Sequence, residues 1–333
     1  MAQLLVTGGA GYIGSHLVLD LLLAGHDVVV VDDLSTGHHL ALTRVAELAG
    51  RGCRFVHADI ADVATVASAL DGVDAVFHLA AFKLVTESMV APERYFRNNV
   101  AGTAALLEAM VRAGVTRLVY SSSAAVYGPQ PDAPISEDAQ LNPESPYGVS
   151  KAQGETMLSW MCARRGWAAT SLRYFNPVGT HHSGRIGQPQ RDAAALAPRV
   201  LNALQHADQP LTVYGTDWPT PDGTCLRDYI HIADLNRAHL LALQVLLPGQ
   251  HGIFNVGSGR PHSVREVLAS CRRVTGREVP TTDGPRRDGD MARSTADASR
   301  FHAATGFIAT GTLDDMLASA WTWAAHNPAG YAT

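Results

Sequence analysis

Apolar positions in the first half of the chain fall into short runs separated by stretches of helical period. Gln3-Leu-Leu-Val6 is one such run, and residues 15–24 then carry leucines and valine at helical spacing until Gly25 stops them. Asp27-Val-Val-Val-Val-Asp-Asp33 follows as the continuous apolar run of a strand buried on both faces. Residues 53–59, 75–81 and 117–123 read as further parallel strands with helical stretches between them. Pro92 sits where a first helical turn tolerates proline, and 93–113 reads as one long helix closed by Gly114. A last strand at 168–175 completes the sheet, so the pattern predicts an α/β fold with a doubly wound parallel sheet over 1–176.

Beyond that point the texture changes. Residues 176–192 are rich in Gly, His, Pro and Gln and read as a long loop, a feature that in compact domains is usually functional. A helix near 193–207, a strand at 211–214, a helix from about 232 to 247 and helices near 263–275 and 312–325 follow. This second half, 177–333, repeats nothing and carries no second glycine fingerprint, so it reads as a smaller α/β lobe that binds substrate.

Composition narrows the class. The chain has 333 residues, 46% of them hydrophobic and 17% charged, enough for a large core. A net charge of −5 and basic residues no denser than the pairs Arg272-Arg273 and Arg286-Arg287 give no reason to expect nucleic acid. No apolar stretch approaches the ~20 residues of a membrane span, and no charged leader with a removable apolar segment precedes the first strand. The cysteines at 53, 162, 225 and 271 are too dispersed for a metal-ligand pattern, so no metal is expected and a reducing, cytoplasmic setting is.

Chemistry enters at Thr7-Gly-Gly-Ala-Gly-Tyr-Ile-Gly14, between the first strand and the first helix. Gly8, Gly11 and Gly14 recur at intervals of three, which suits a sharp turn, close approach of a pyrophosphate and close helix packing, as in a Rossmann sheet. The N–H groups of the helix start would face the anion. Asp32, 24 residues beyond Gly8, falls where a ribose hydroxyl is expected, and a carboxylate there selects NAD over its 2′-phosphorylated form. The implied cofactor is NAD.

A second constellation follows in Tyr147-Gly-Val-Ser-Lys151, whose tyrosine and lysine share one helix face, with Pro146 at the helix entry. A nearby ammonium favours a phenolate, so Lys151 is expected to lower the Tyr147 pKa from about 10. Ser123 ends the fifth strand at the carboxyl edge of the sheet, where open α/β folds bind ligands. Its hydroxyl can donate and accept at once.

The segments TGGAGYIG, VDD, SSSAAVYG, YGVSK and RYFNPVG together resemble the extended short-chain dehydrogenases/reductases, over essentially the whole chain. Within them, GTDWPTPDGTCLRDYIHIADL at 215–235 resembles the UDP-glucose (UDP-galactose) 4-epimerases. The resemblance implies an NAD-dependent isomerase acting on a UDP-sugar, with a homodimer formed by the helices at 93–113 and 147–165. It implies NAD contacts from Gly8, Gly11, Tyr12, Ile13, Gly14, Asp32, Asp33, Ser35 and Gly37, from Asp59 and Ile60 beside the adenine, and from Leu79, Ala80, Ala81, Phe82 and Lys83. Asn98 would reach NAD from the long helix and Phe175 would lie near the nicotinamide, while Ser123, Tyr147 and Lys151 form the catalytic set and also touch NAD. On the sugar-nucleotide side it implies Lys83, Ser123, Tyr147, Asn176, Leu196, Thr212, Val213 and Tyr214 (the last three near the uracil), Arg227 on the diphosphate, and Arg287 with Asp290. A planar guanidinium suits a diphosphate by paired hydrogen bonds.

Two departures stand out. Where those epimerases carry Gly-Ile-Pro-Asn-Asn-Leu, this chain has Arg191-Asp-Ala-Ala-Ala-Leu196, so two amides become Ala194 and Ala195; either His181, His182 or Arg191 compensates or the preferred sugar differs. At the position facing the hexose 2-position stands Ser294, a small residue that leaves room for an N-acetyl group unless Arg293 closes the pocket instead. Tyr147 would take the proton of the sugar 4-hydroxyl, Ser123 would bond the same oxygen, and NAD would be regenerated after a 4-keto stage. A 4,6-dehydratase would need an acid/base pair where Ala124 and Ala125 stand. A 4-ketoreductase sharing the same three residues, an epimerase of another nucleotide sugar, and a non-catalytic nucleotide sensor remain open.

Overall fold

Strands β1 (Gln3–Thr7), β2 (Asp27–Asp32), β3 (Arg54–His57), β4 (Ala75–His78), β5 (Arg117–Ser123) and β6 (Ala168–Tyr174) pair in parallel in the order β3-β2-β1-β4-β5-β6. A computed structural model describes residues 1–130, 134–188, 195–206, 208–287 and 290–331. Between the strands run α1 (Tyr12–Leu23), α2 (His39–Ala49), α3 (Val63–Ala69), α4 (Val85–Val90), α5 (Pro92–Tyr95), α6 (Gly102–Ala113) and α7 (Pro146–Arg165). The valine run of β2 is buried from Val28 onward, as a strand covered on both faces requires. Leu5, Val29, Val31, Val76, Leu118 and Tyr120 of the sheet share one core with Leu106 and Met110 of α6 and Leu158 of α7.

The single helix expected over 93–113 is instead α5 and α6 joined by a π-helical segment, Phe96–Ala101, the kind of insertion that re-aims side chains. Helix α7 starts as expected at Pro146, with Ser145 capping the Gly148 N–H, and stops at Gly166 in the left-handed conformation.

The remaining strands are β7 (Asn176–Val178), β8 (Leu211–Tyr214), β9 (Leu226–His231), β10 (His251–Val256), β11 (Pro261–Ser263), β12 (Thr281–Gly284) and β13 (Arg293–Ser294). The large sheet does not end at β6: β10 flanks it as a seventh strand, and its pattern shows no apolar run that would announce a core strand. Nor is 176 the start of a plain loop, since β7 pairs with β9 there. β11, β9 and β13 form a second small sheet, and β8 pairs with β12. Helices α8 (Leu196–Gln205), α9 (Ile232–Gln244), α10 (Val264–Thr275), α11 (Ser299–Thr305) and α12 (Leu313–His326) complete the chain, with Val200, Leu204, Tyr229, Val267, Cys271 and Leu317 in one core.

The chain divides into two compact units, one of Met1–Gly128, Gln140–Tyr174 and Asn236–Phe254, the other of Pro129–Ala139, Phe175–Leu235 and Asn255–Thr333. Both draw on separate stretches, so 129–139 and 236–254 lie across a single division at residue 176. Among the described residues no helix is long and apolar enough to cross a membrane.

Candidate active site

In the first unit the strand order reverses beside β1, which pairs with both β2 and β4, and the glycine turn leaves the carboxyl end of β1 there. Gly8 holds φ +72°, and a Cβ on it would lie 2.7 Å from Ala80 N; a Cβ on Gly14 would lie 2.1 Å from Gly8 O. Gly11 differs: its Cβ would meet only Gly8 O, at 3.3 Å, so its outer side is open to an approaching group. It is also the N-cap of α1 and supplies no side-chain acceptor, which leaves the N–H groups of that first turn for an anion. Tyr12, Ile13 and Gly14 form that turn. These features fit the pyrophosphate of a dinucleotide.

Asp32 ends β2 with its carboxylate 6% exposed. It accepts the N–H of Ala10 at 2.9 Å and of Leu34 at 2.8 Å, while burial pushes its pKa up. Leu34 has φ 59°, the one non-glycine residue with positive φ among those described; in the turn it makes, the Ser35 N–H donates to Asp33 Oδ1 at 2.9 Å, and Gly37 lies against the Asp32 carboxylate. Asp59 is exposed and accepts the Ala61 N–H, whereas Ile60 is buried against Gly102 as a core residue.

The segment after β4 is held at both ends. Thr7 Oγ1 accepts the N–H groups of Leu79 and Ala80, both at 3.2 Å, and the Asn99 amide bonds Phe82 N and O, each at 2.9 Å. Ala81 lies between these anchors, and the Lys83 ammonium sits 5.8 Å from the centre of the Tyr12 ring. Asn98, the residue expected to reach NAD, lies in the π segment and donates to Asn99.

The Lys151 Nζ, one turn along α7 from Tyr147, donates to Ser121 O at 2.6 Å. Burial raises the Tyr147 pKa and the neighbouring Ser123 hydroxyl opposes it. The expected depression of Tyr147 by Lys151 is thereby corrected for the protein alone, because desolvation is the larger effect. Lys151 is itself pushed down to about 7 by burial, with Glu155 opposing.

In the second unit, Arg227 on β9 donates to Met291 O at 2.8 Å and meets Asp290 at 3.3 Å, while Arg287 meets the same carboxylate at 3.1 Å. The Arg287 guanidinium lies 4.8 Å from the Tyr214 ring centre, and Arg199 lies 5.6 Å from it. Two guanidiniums sharing one carboxylate beside an aromatic face can take an anionic nucleotide. Thr212 and Val213 precede Tyr214 on β8; Val213 packs with Leu196, which here is a core contact. Asn176 donates to Asp228 O, Phe175 is buried with its N–H on Val256 O, and Ser294 is the Cα partner of Arg227. Arg191 and Ala194 lie outside the described residues; Ala195 is the N-cap of α8.

The profile of the NAD dependent epimerase/dehydratase family matches residues 4–257. The chain belongs to this family. It is 42% identical to the UDP-glucose 4-epimerase of Bacillus subtilis over 98% of both chains. The structure resembles that of the UDP-glucose 4-epimerase from Stenotrophomonas maltophila with bound NAD and formylated UDP-arabinopyranose, with a TM-score of 0.95, 41% identity, and coverage of 98% of this chain and 99% of that one. It also resembles the UDP-glucose 4-epimerase of Bifidobacterium longum in complex with NAD+ and UDP, with a TM-score of 0.93, 38% identity, and coverage of 99% and 100%.

For this member of the epimerase/dehydratase family, sequence reasoning passed over several residues that build the site. Asn99 spans the 82 segment and Ser150 of α7, yet in sequence it is one of two adjacent asparagines with nothing to separate them. Asp228 gathers Ser258, Gly259 and Ala296 N–H groups on one buried carboxylate, and no spacing rule announces that. Glu155 and Arg173 form a buried ion pair that also takes Ser122 of β5. A carboxylate two turns beyond Tyr147 on the same helix face was the available signal.

Proposed function

We propose that this chain is an NAD-dependent UDP-glucose 4-epimerase, interconverting UDP-glucose and UDP-galactose. The observation that carries this reading is Ser123 at the carboxyl end of β5 beside Tyr147 and Lys151 of α7, in a sheet whose glycine turn fits a dinucleotide. Relatives solved with NAD and with UDP or a UDP-pentose support the cofactor and the nucleotide.

Tyr147 takes the proton of the sugar 4-hydroxyl, and Ser123 hydrogen-bonds the same oxygen. The Lys151 ammonium favours the phenolate against a burial that favours the phenol. Gly8, Gly11, Gly14 and Asp32 would hold NAD, which would supply a reversible acceptor for the hydride of carbon 4. Arg227 and Arg287 hold the diphosphate, kept in place by Asp290. Ala124 and Ala125 beside Ser123 offer no acid or base, which disfavours dehydration. The small, buried Ser294 supports acceptance of N-acetylated UDP-hexoses as well. Exposed Phe96, Val111 and Trp160 support a homodimer through the helices at 93–113 and 147–165, and four free cysteines support a cytoplasmic setting.

The test is to incubate purified protein with UDP-galactose, without added nicotinamide, and to read the product's 4-hydroxyl by NMR. Equilibration to UDP-glucose with no accumulation of NADH is expected, and Tyr147→Phe lowers turnover by about 10²–10⁴ while NAD stays bound. Net consumption of added NADH identifies a reductase instead. Binding of NAD and UDP-galactose with no exchange at carbon 4 identifies a nucleotide sensor.

A further inference from the structure

Arg173 Nε and Nη2 donate to the two Glu155 oxygens at 2.8 and 2.6 Å, and Ser122 Oγ donates to Oε1 at 2.5 Å. The two charged side chains are 3% and 4% exposed, and Arg173 Nη1 also reaches the Tyr127 hydroxyl at 2.9 Å. Ser122 and Arg173 face each other across the β5–β6 ladder, so one carboxylate from α7 is tied to both strands. One turn back along the helix Lys151 donates to Ser121 O, and one turn further back Tyr147 neighbours Ser123. Three residues spaced by four on one helix face therefore meet three consecutive residues at the end of β5.

An apolar contact would stabilise such a buried spot at least as well as an ion pair, but it would let the helix slide. The fixed fork of a bidentate pair does not.

We propose, resting on the epimerase reading above, that Glu155 is a positioning residue of the reaction: locked by Arg173 and Ser122, it fixes α7 against the end of β5 and places a negative charge one helical turn from the Lys151 ammonium. Apart from Tyr147, whose phenolate the reaction uses, the other groups that surround this ammonium supply no negative charge at neutral pH. His78 of β4 is kept neutral, held down to about 3 by burial; the Tyr120 ring of β5 lies 5.0 Å away; Tyr174, bonded to Ser121, is a phenol held up by burial. Arg173 faces Glu155 from β6. Glu155 is thus the carboxylate, among the described residues near Lys151, that keeps the lysine charged against desolvation.

Lys83 and Lys151 are the two lysines of the sequence, so lysine 13Cε NMR of the NAD-loaded protein reads Lys151 directly, with Lys83→Arg used to assign the signals. In Glu155→Gln the Lys151 titration midpoint is expected to fall by about one pH unit with Lys83 unmoved. In the same variant kcat for UDP-galactose falls about tenfold while KM moves less than about threefold. Because that variant leaves Arg173 buried without its partner and can fail to fold, Glu155→Gln/Arg173→Met is measured in the same way, with the same expected shift and loss. A folded, NAD-loaded variant with an unmoved midpoint, or with unchanged kcat, overturns the proposal. Failure of both variants to fold, seen by circular dichroism, makes the pair purely structural and overturns it too. The NMR midpoint reads the placement even if the parent does not epimerise, so failure of the epimerase reading and failure of this one show in different measurements.

Discussion

Ser294 is 7% exposed on β13, opposite Arg227, whereas its neighbour Arg293 is exposed. In the epimerase proposed above, a tyrosine in place of this buried serine would add a ring where the N-acetyl group is to fit. Ser294→Tyr is therefore expected to abolish turnover of UDP-N-acetylgalactosamine while UDP-galactose turnover is spared, since a filled pocket rejects the larger group by clash. Paired kinetics on the two sugars check this; equal loss on both, or no activity of the parent on the acetylated sugar, contradicts it. At this scale the sequence was legible where chemistry coincided with periodicity. Tyr147 and Lys151 stand out because four residues make one helical turn, and Ser123 because it closes an apolar run. Glu155, Asn99 and Asp228 did not, because their partners lie 18, 17 and 30 residues away and are brought together only by the sheet.

Helix α8 begins at Ala195, which has an extended backbone and makes no side-chain cap. An asparagine there would accept a hydrogen bond from the first turn, so Ala195→Asn is expected to stabilise the fold by about 0.5–2 kcal/mol in urea unfolding, with no ligand present. An unchanged or lowered midpoint would show that α8 starts differently. His78 joins β1, β4 and α6. Thr7 Oγ1 already accepts two N–H groups and so donates its proton to His78 Nδ1 at 2.7 Å. Thr103 donates to Asn99 O and so accepts from His78 Nε2 at 2.9 Å. The ring is therefore neutral, and its pKa of about 3 lies below the unfolded value near 6.5. The unfolded chain binds the extra proton, so this contribution is complete above about pH 6.5 and is lost as pH falls toward 3. Unfolding free energy is expected to drop more steeply in the parent than in His78→Gln across that window, by up to about 1.4 kcal/mol per pH unit. Parallel curves would contradict the neutral ring. The alternating strands and helices of the first half were legible because β2 and its neighbours are long apolar runs. The small strands β11 and β13, three and two residues long, carry no period to read, and the π turn at Phe96–Ala101 leaves none either.

Across the whole molecule the doubly wound sheet was readable from the alternation of strands and helices before residue 176, but the entry of β10 into the large sheet was not. Its residues His251–Phe254 are only partly buried, and the interleaving of the two units follows from contacts between distant stretches of chain. In the proposed reaction the hydrogen on carbon 4 leaves the sugar and returns to it within a single binding event, while Tyr147 handles only the hydroxyl proton. Conversion of UDP-galactose deuterated at carbon 4, in ordinary water and without added cofactor, measures this directly. UDP-glucose with the deuterium still on carbon 4, and the bound NAD unchanged at the end, is the expected result. Product formed with the deuterium washed out into water would contradict it.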